Sequence, residues 1–193
     1  MMRNNIKIAI TGGIGCGKTS VCDIIRERGF SVISCDDVYS ELLNSREFLS
    51  LITNEFGNVI KSDGSLDRKK LAEIVFKDRD SKKKLDKITH PAIMKEVLLR
   101  ANVFDICFCE VPLLFENGFE GLFDNVIVIL REKEERISSI QKRDKIDRSN
   151  AILRIKSQIN YDKFNFAKYY VIHNDGNLEN LRVKTEEILK KII

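Results

Sequence analysis

Residues 11–20 read TGGIGCGKTS, and their types and spacing suit the gripping of phosphate. Gly12, Gly17, Lys18 and Thr19 stand in the fixed places of G-x-x-x-x-G-K-[ST]. Glycines let the chain turn so that successive N–H groups converge on phosphate oxygens. A helix opening at this point adds its partial positive charge. Lys18 can then reach the β- and γ-phosphates, and the Thr19 hydroxyl can ligate Mg²⁺. Gly12, Gly13, Ile14, Gly15, Cys16, Gly17, Lys18, Thr19 and Ser20 form the candidate nucleoside triphosphate loop, with Thr19 as the metal ligand. The alternative is a glycine turn beside an exposed lysine. The flanks decide against it. IKIAI (Ile6–Ile10) is a short buried strand, and Val21, Ile24 and Ile25 recur at helical spacing before Gly29.

Phosphoryl transfer also needs cations on the transferring group and a carboxylate near the acceptor hydroxyl. Asp36 and Asp37 follow the second apolar run directly. One could take the hydroxyl proton or hold Mg²⁺ through water, and either could cap the helix starting near Val38. Glu110 and Glu116 bracket the third run. Glu110 points either toward the metal or to solvent. Arg136, Arg143 and Arg154 are candidates for neutralising the γ-phosphate, against surface roles for each. His90 could bind a substrate phosphate or close a turn. His173 is expected to be packed and satisfied.

The elements that must position these residues alternate. Strands are expected over Lys7–Ile10, 31–35, 105–111, 125–130 and 169–173, with a final amphipathic helix carrying Leu178, Leu181, Ile188, Leu189 and Ile192. Continuous apolar runs, rather than alternating ones, belong to a parallel sheet covered on both faces. Ligands in such sheets lie beyond the carboxyl ends of the strands. That singles out 11–20, Asp36, Asp37, 110–116, Arg131 and 173–176. The fold class is α/β, a three-layer P-loop NTPase-type fold with a five-stranded parallel sheet. Two helical excursions interrupt it, 38–100 as a substrate cap and 132–165 as a lid, within a single domain over 1–193. Asp67 suits an N-cap, and Pro91 the first position of a helix containing Ile93, Met94, Val97 and Leu98.

Composition narrows the classes. Of 193 residues, 43% are hydrophobic and 32% charged, the balance of a globular domain with a core. Two prolines and ten glycines argue against linkers. The start, MMRNN, is polar, and no apolar run approaches the about 18 residues of a membrane span. Five cysteines, odd in number and without C-x-x-C, suit reduced core thiols and a cytoplasmic location. The net charge is +4. Residues 67–87 and 131–156 each hold nine Lys/Arg against five Asp/Glu, mostly on solvated helix faces.

Taken together these residues resemble the dephospho-coenzyme A kinase family over nearly the whole chain. The carriers are TGGIGCGKT, Ser34-Cys35-Asp36, Leu66-Asp67-Arg68 with Leu71, Val75 and Phe76, His90-Pro91-Ala92-Ile93, Val111–Glu116, Arg143-Asp144, Arg154–Gln158 and Asn174-Asp175-Gly176. The resemblance implies transfer of the ATP γ-phosphate to the ribose 3′-hydroxyl of dephospho-coenzyme A, with Mg²⁺. It implies Asp36 as base and Lys18 and Arg143 as charge stabilisers. It places adenine near Asn174 and Gly176. Arg68, His90, Pro91, Leu113 and Glu116 fall to the substrate, beside Asp36. The chain departs from the family at Cys16, Ser34, Ser40 and Ser139, the last being an arginine in relatives, with Arg136 one turn away. The rivals are another small-molecule kinase, a nucleotide switch or a nucleic-acid-dependent ATPase. N-K-x-D and D-x-x-G are absent, and no stacking row of aromatics marks a nucleic-acid module.

Overall fold

The structure, a computed structural model, describes residues 5–193, with Arg79 described in its backbone only. Met1–Asn4 of the polar start, and the Arg79 charge in the 67–87 stretch, lie outside the described residues. The chain divides into two compact units: the residues up to Ile33 together with Ala101–Ile193, and Ser34–Arg100.

The first unit is built on five strands, β1 (Ile6–Gly12), β2 (Ser31–Ser34), β3 (Ile106–Glu110), β4 (Asn125–Leu130) and β5 (Tyr170–His173). Their order across the parallel sheet is β2-β3-β1-β4-β5. β1 lies between β3 and β4, so Ile10 sits beside Glu110 on one side and Ile127 on the other. The chain alternates faces along each strand. Ile8, Ile10, Phe108, Ile127, Ile129 and Ile172 point to one face. There they pack on α1 (Lys18–Glu27) and α8 (Leu178–Ile192) through Val21, Ile24, Ile25, Leu181 and Leu189. Ala9, Cys107, Cys109, Val126 and Val128 belong to the opposite face and are also buried. Both faces therefore need apolar residues, which is why these strands read as continuous runs.

A hairpin of α6 (Lys133–Asp144) and α7 (Arg148–Lys156) follows β4. Its core is Ile137, Ile140 and Ala151, and Ile14 of the glycine loop packs against it. Asp147 caps α7 by accepting from the Asn150 amide at 2.7 Å.

The second unit holds α2 (Cys35–Leu42), α3 (Arg46–Phe56), α4 (Arg68–Lys77) and α5 (Arg79–Ala101). Phe48, Ile52, Val59, Leu66 and Leu71 form its core. A single antiparallel bridge joins Ile60 and Leu66. Asp67 caps α4 as its position suggested, accepting from the Lys70 amide at 3.0 Å.

Two expectations need correction here. α2 starts at Cys35 rather than near Val38, and its cap is Ser34, whose hydroxyl accepts from the Asp37 amide. Asp36 and Asp37 sit in the first turn, so neither is the cap. Pro91 does not open a helix but stands inside α5. The start signal is Asp78, whose carboxylate accepts from the amides of Asp80 and Ser81 at 3.1 and 3.0 Å. Pro91 costs the helix one bond, to the Lys87 carbonyl, on an exposed face. Full turns on both sides carry the helix through it. Among the described residues no helix is long and apolar enough to cross a membrane.

Phe108, midway along β3, is fully buried. Phe108→Ala is expected to lower unfolding free energy by about 3–5 kcal/mol, read as a fall in the denaturation midpoint.

Candidate functional site

The loop between β1 and α1 bends through three left-handed glycines, Gly12 (φ 149°), Gly15 (φ 78°) and Gly17 (φ 96°). Each bend is also crowded. A Cβ on Gly12 would overlap the Ile129 carbonyl, one on Gly13 the Arg136 guanidinium, and one on Gly17 the Asn174 amide. A Cβ on Gly15 would come within 2.8 Å of the Arg136 carbonyl. The glycines are required by packing as much as by dihedral angle.

The loop leads straight into α1, whose first-turn amides have no intrahelical acceptor. Its carbonyls point elsewhere and are met by donors. Lys18 Nζ donates to Gly12 O at 2.9 Å and Gly13 O at 3.4 Å. The Cys16 amide donates to Gly13 O at 3.2 Å. Arg136 Nε donates to Ile14 O at 3.0 Å, and Asn174 Nδ2 to Cys16 O at 2.9 Å. The Ile14 amide donates to Gln158 Oε1 at 2.6 Å. Burial pushes the Cys16 thiol up, against the pull of Lys18. It stays protonated and acts as packing under the loop.

Beside the loop is a cavity of about 520 Å³. Gly13 and Cys16 form one wall, Arg131 and Arg136 another, and Phe164, His173 and Asp175 a third. Arg131 is held by the Ser139 hydroxyl at 2.9 Å and by Glu135 at 2.9 Å. Tyr161 and Phe166 close its floor, within an aromatic cluster that includes Phe115. Burial pushes the Tyr161 phenol up, and the neighbouring Glu116 carboxylate adds to it.

The structure brings Asn174 onto the loop. Gly176 packs instead against Asn180 of α8. His173 is exposed and faces the cavity, which corrects the expectation of a packed histidine, since alternation along β5 sends Ile172 inward and His173 out. Arg143 is 61% exposed and pairs with Asp144, which also receives Arg154. The Arg143 guanidinium holds the Asp144 carboxyl below the usual carboxylate range. Leu113 adopts a left-handed φ of 58°, and its carbonyl is held by Asn117 Nδ2 at 2.8 Å. Glu116 accepts from the Ile159 amide at 3.1 Å, which ties the turn after β3 to the chain beyond α7.

In the helical unit, Arg68, Lys61 and Lys69 line a hollow of about 490 Å³ with Ser40 and Asn44. Asp67 also lines it, and three cations against one carboxylate suit it to an anionic group. His90 lies half-buried on α5 with Asp86 3.7 Å away, one turn before it, and Pro91 is exposed. Asp36 stands in the first turn of α2.

Sequence reasoning undervalued Arg136. It is 4% exposed and lies against Gly13 rather than on the surface. The available signal was its place in α6, one residue before Ile137 and four before Ile140, on the margin of the apolar stripe. The loop fits a triphosphate with Mg²⁺. Its amides lead into the N-terminus of α1 beside Lys18, which suits an anion, and Thr19 stands exposed in the first turn of α1.

Comparison with known proteins follows the same lines. Residues 6–180 match the model of the dephospho-CoA kinase family. A dephospho-CoA kinase of Fusobacterium nucleatum is 34% identical over 188 residues, which are 96% of this chain and 97% of that one. The solved dephospho-CoA kinase of Campylobacter jejuni superposes with a TM-score of 0.70 at 32% identity, covering 96% of each chain. A shikimate kinase from Acinetobacter baumannii shares the fold, with a TM-score of 0.58 at 14% identity over 99% of this chain and 94% of its own.

Gly17→Ala is expected to weaken ATP binding at least tenfold, because the methyl displaces Asn174 from the loop. Gly29 has a similar φ of 85° with open space around it. Gly29→Ala should cost about 1 kcal/mol of stability and leave nucleotide affinity unchanged. Calorimetric titration of both variants separates shape from strain.

Proposed function

The chain belongs to the dephospho-CoA kinase family, and from that membership we propose how its residues divide the work. The reaction moves the γ-phosphoryl group of ATP to the ribose 3′-hydroxyl of dephospho-coenzyme A, giving coenzyme A and ADP. It is the last step of coenzyme A synthesis. The observation that carries this reading is the built loop of residues 12–20, within a chain matched by the family over residues 6–180.

In this reading the amides of the loop and of the α1 N-terminus hold the phosphates. Lys18 leaves its carbonyl contacts for the β- and γ-phosphate oxygens. Thr19 would hold Mg²⁺, which supplies charge neutralisation on those oxygens when bound. Adenine takes the cavity beside Asn174, against His173 and Asp175. Asp36 accepts the 3′-hydroxyl proton as that oxygen attacks phosphorus in line and the bond to the ADP oxygen breaks. Arg143 adds positive charge from the hairpin 132–165, which acts as a lid and excludes water. Arg68 and the cationic hollow of residues 38–100 receive phosphate of dephospho-coenzyme A, with His90, Pro91, Leu113 and Glu116 bordering the substrate. Five thiols, four of them buried, suit action in the cytoplasm.

With MgATP and a panel of dephospho-coenzyme A, adenosine, AMP and shikimate, ADP release is expected with the first alone, with coenzyme A as product. Turnover with another acceptor would overturn the substrate reading. Asp36→Asn should lose roughly 10²–10⁴-fold in kcat while its ATP dissociation constant stays within about twofold. Near-normal turnover would remove Asp36 from the role of base.

A further inference from the structure

A trans peptide carries its N–H and C=O on opposite edges of one plane, so gripping one edge aims the other. The chain has no cis peptide among the described residues. Two consecutive planes of the glycine loop meet at Ile14, and each is gripped by a side chain from the hairpin region. Gln158 Oε1 takes the Ile14 N–H at 2.6 Å. That turns the other edge of the same plane, the Gly13 carbonyl, toward Cys16 N and Lys18 Nζ, at 3.2 and 3.4 Å. Arg136 Nε takes the Ile14 carbonyl at 3.0 Å. That turns the Gly15 N–H away from Arg136, to the other side of the chain. Gln158 is itself fixed from its neighbour, because the Ile159 amide donates to Glu116.

We infer that Gln158 is a positioning residue for nucleotide binding: by accepting from Ile14 N–H it sets the Gly13–Ile14 plane, and through it the approach of Lys18 and the turn at Cys16. The inference rests on the loop being the ATP site. Gln158 touches no reacting atom. Its work is to remove one rotation from a loop whose glycines otherwise permit many. Arg136 does the same for the next plane. Without the acceptor, Ile14 N–H loses a hydrogen bond in a partly buried place, and the plane is free to turn. The Gly13 carbonyl can then swing toward the phosphates, which repels them and draws Lys18 off line. The requirement is an acceptor oxygen at that distance, not an amide as such. Glutamate in place of Gln158 supplies the same oxygen, whereas alanine supplies none.

The test measures ATP binding directly, by calorimetric titration of wild type, Gln158→Ala and Gln158→Glu, beside steady-state KM values for both substrates and thermal midpoints. Gln158→Ala is expected to weaken ATP binding about tenfold, the size of one unmade buried hydrogen bond. Its KM for dephospho-coenzyme A should stay within about twofold. Gln158→Glu should recover at least half of the lost affinity on a logarithmic scale. If Gln158→Ala lowers the thermal midpoint but leaves ATP affinity intact, the residue is a structural tie only and the inference fails. It also fails if Gln158→Glu binds ATP no better than Gln158→Ala, or if the KM of dephospho-coenzyme A rises in step with that of ATP. Absence of ATP binding by the wild type would instead overturn the nucleotide reading of the loop. That result is distinct, because it needs no variant.

Discussion

A loop that presents N–H groups to an anion must turn its carbonyls outward, and each carbonyl turned outward needs a donor. Much of the first unit is arranged around that requirement. The carbonyls of Gly12, Gly13, Ile14 and Cys16 are met by Lys18, Cys16 N, Arg136 and Asn174. These donors come from the loop itself, from α6 and from the end of β5. The sheet order brings those ends together: β1 is central, β4 is its neighbour and β5 the next strand out. The Asn174 amide bonds to Leu130 O at 2.8 Å, so the residue that steadies Cys16 is anchored on β4.

The same requirement explains what the sequence revealed and what it withheld. The strands were legible because both faces of the sheet are buried, which leaves runs such as VIVIL (residues 126–130) with no polar residue to break them. The loop was legible because three of its positions tolerate only glycine. Arg136 was not legible, since its guanidinium serves a carbonyl 122 residues earlier and local spacing gives no hint of so distant a partner. Gln158 was visible only as part of a pattern. Pro91 misled because a proline reads locally as a helix start, while Asp78 thirteen residues earlier had already opened α5. His173 misled because strand alternation, not hydropathy, decides which way a terminal residue points.

Departures from the family pattern also acquire physical roles. Ser34 caps α2 and so frees Asp36 from capping duty. Ser139 accepts from Arg131, which puts a guanidinium on the cavity wall from the end of β4. Cys16 fills space beneath Gly12, where its raised thiol keeps it uncharged under a site built for anions. In the helical unit, Asp67 holds the first turn of α4 and so fixes the direction in which Arg68 and Lys69 leave the backbone.

The grip on Ile14 from both Arg136 and Gln158 sets a mechanical limit on the hairpin between them. Swinging the hairpin as one body would break both bonds at once and take the loop out of shape. Its pivots must therefore lie beyond those two residues, toward the α6–α7 corner. From Arg136 to the end of α6 is eight residues, a lever of about 12 Å at 1.5 Å per residue. A segment that short, tied to the glycine loop at both ends and packed against Ile14 in between, cannot be displaced without straining the loop it stands on.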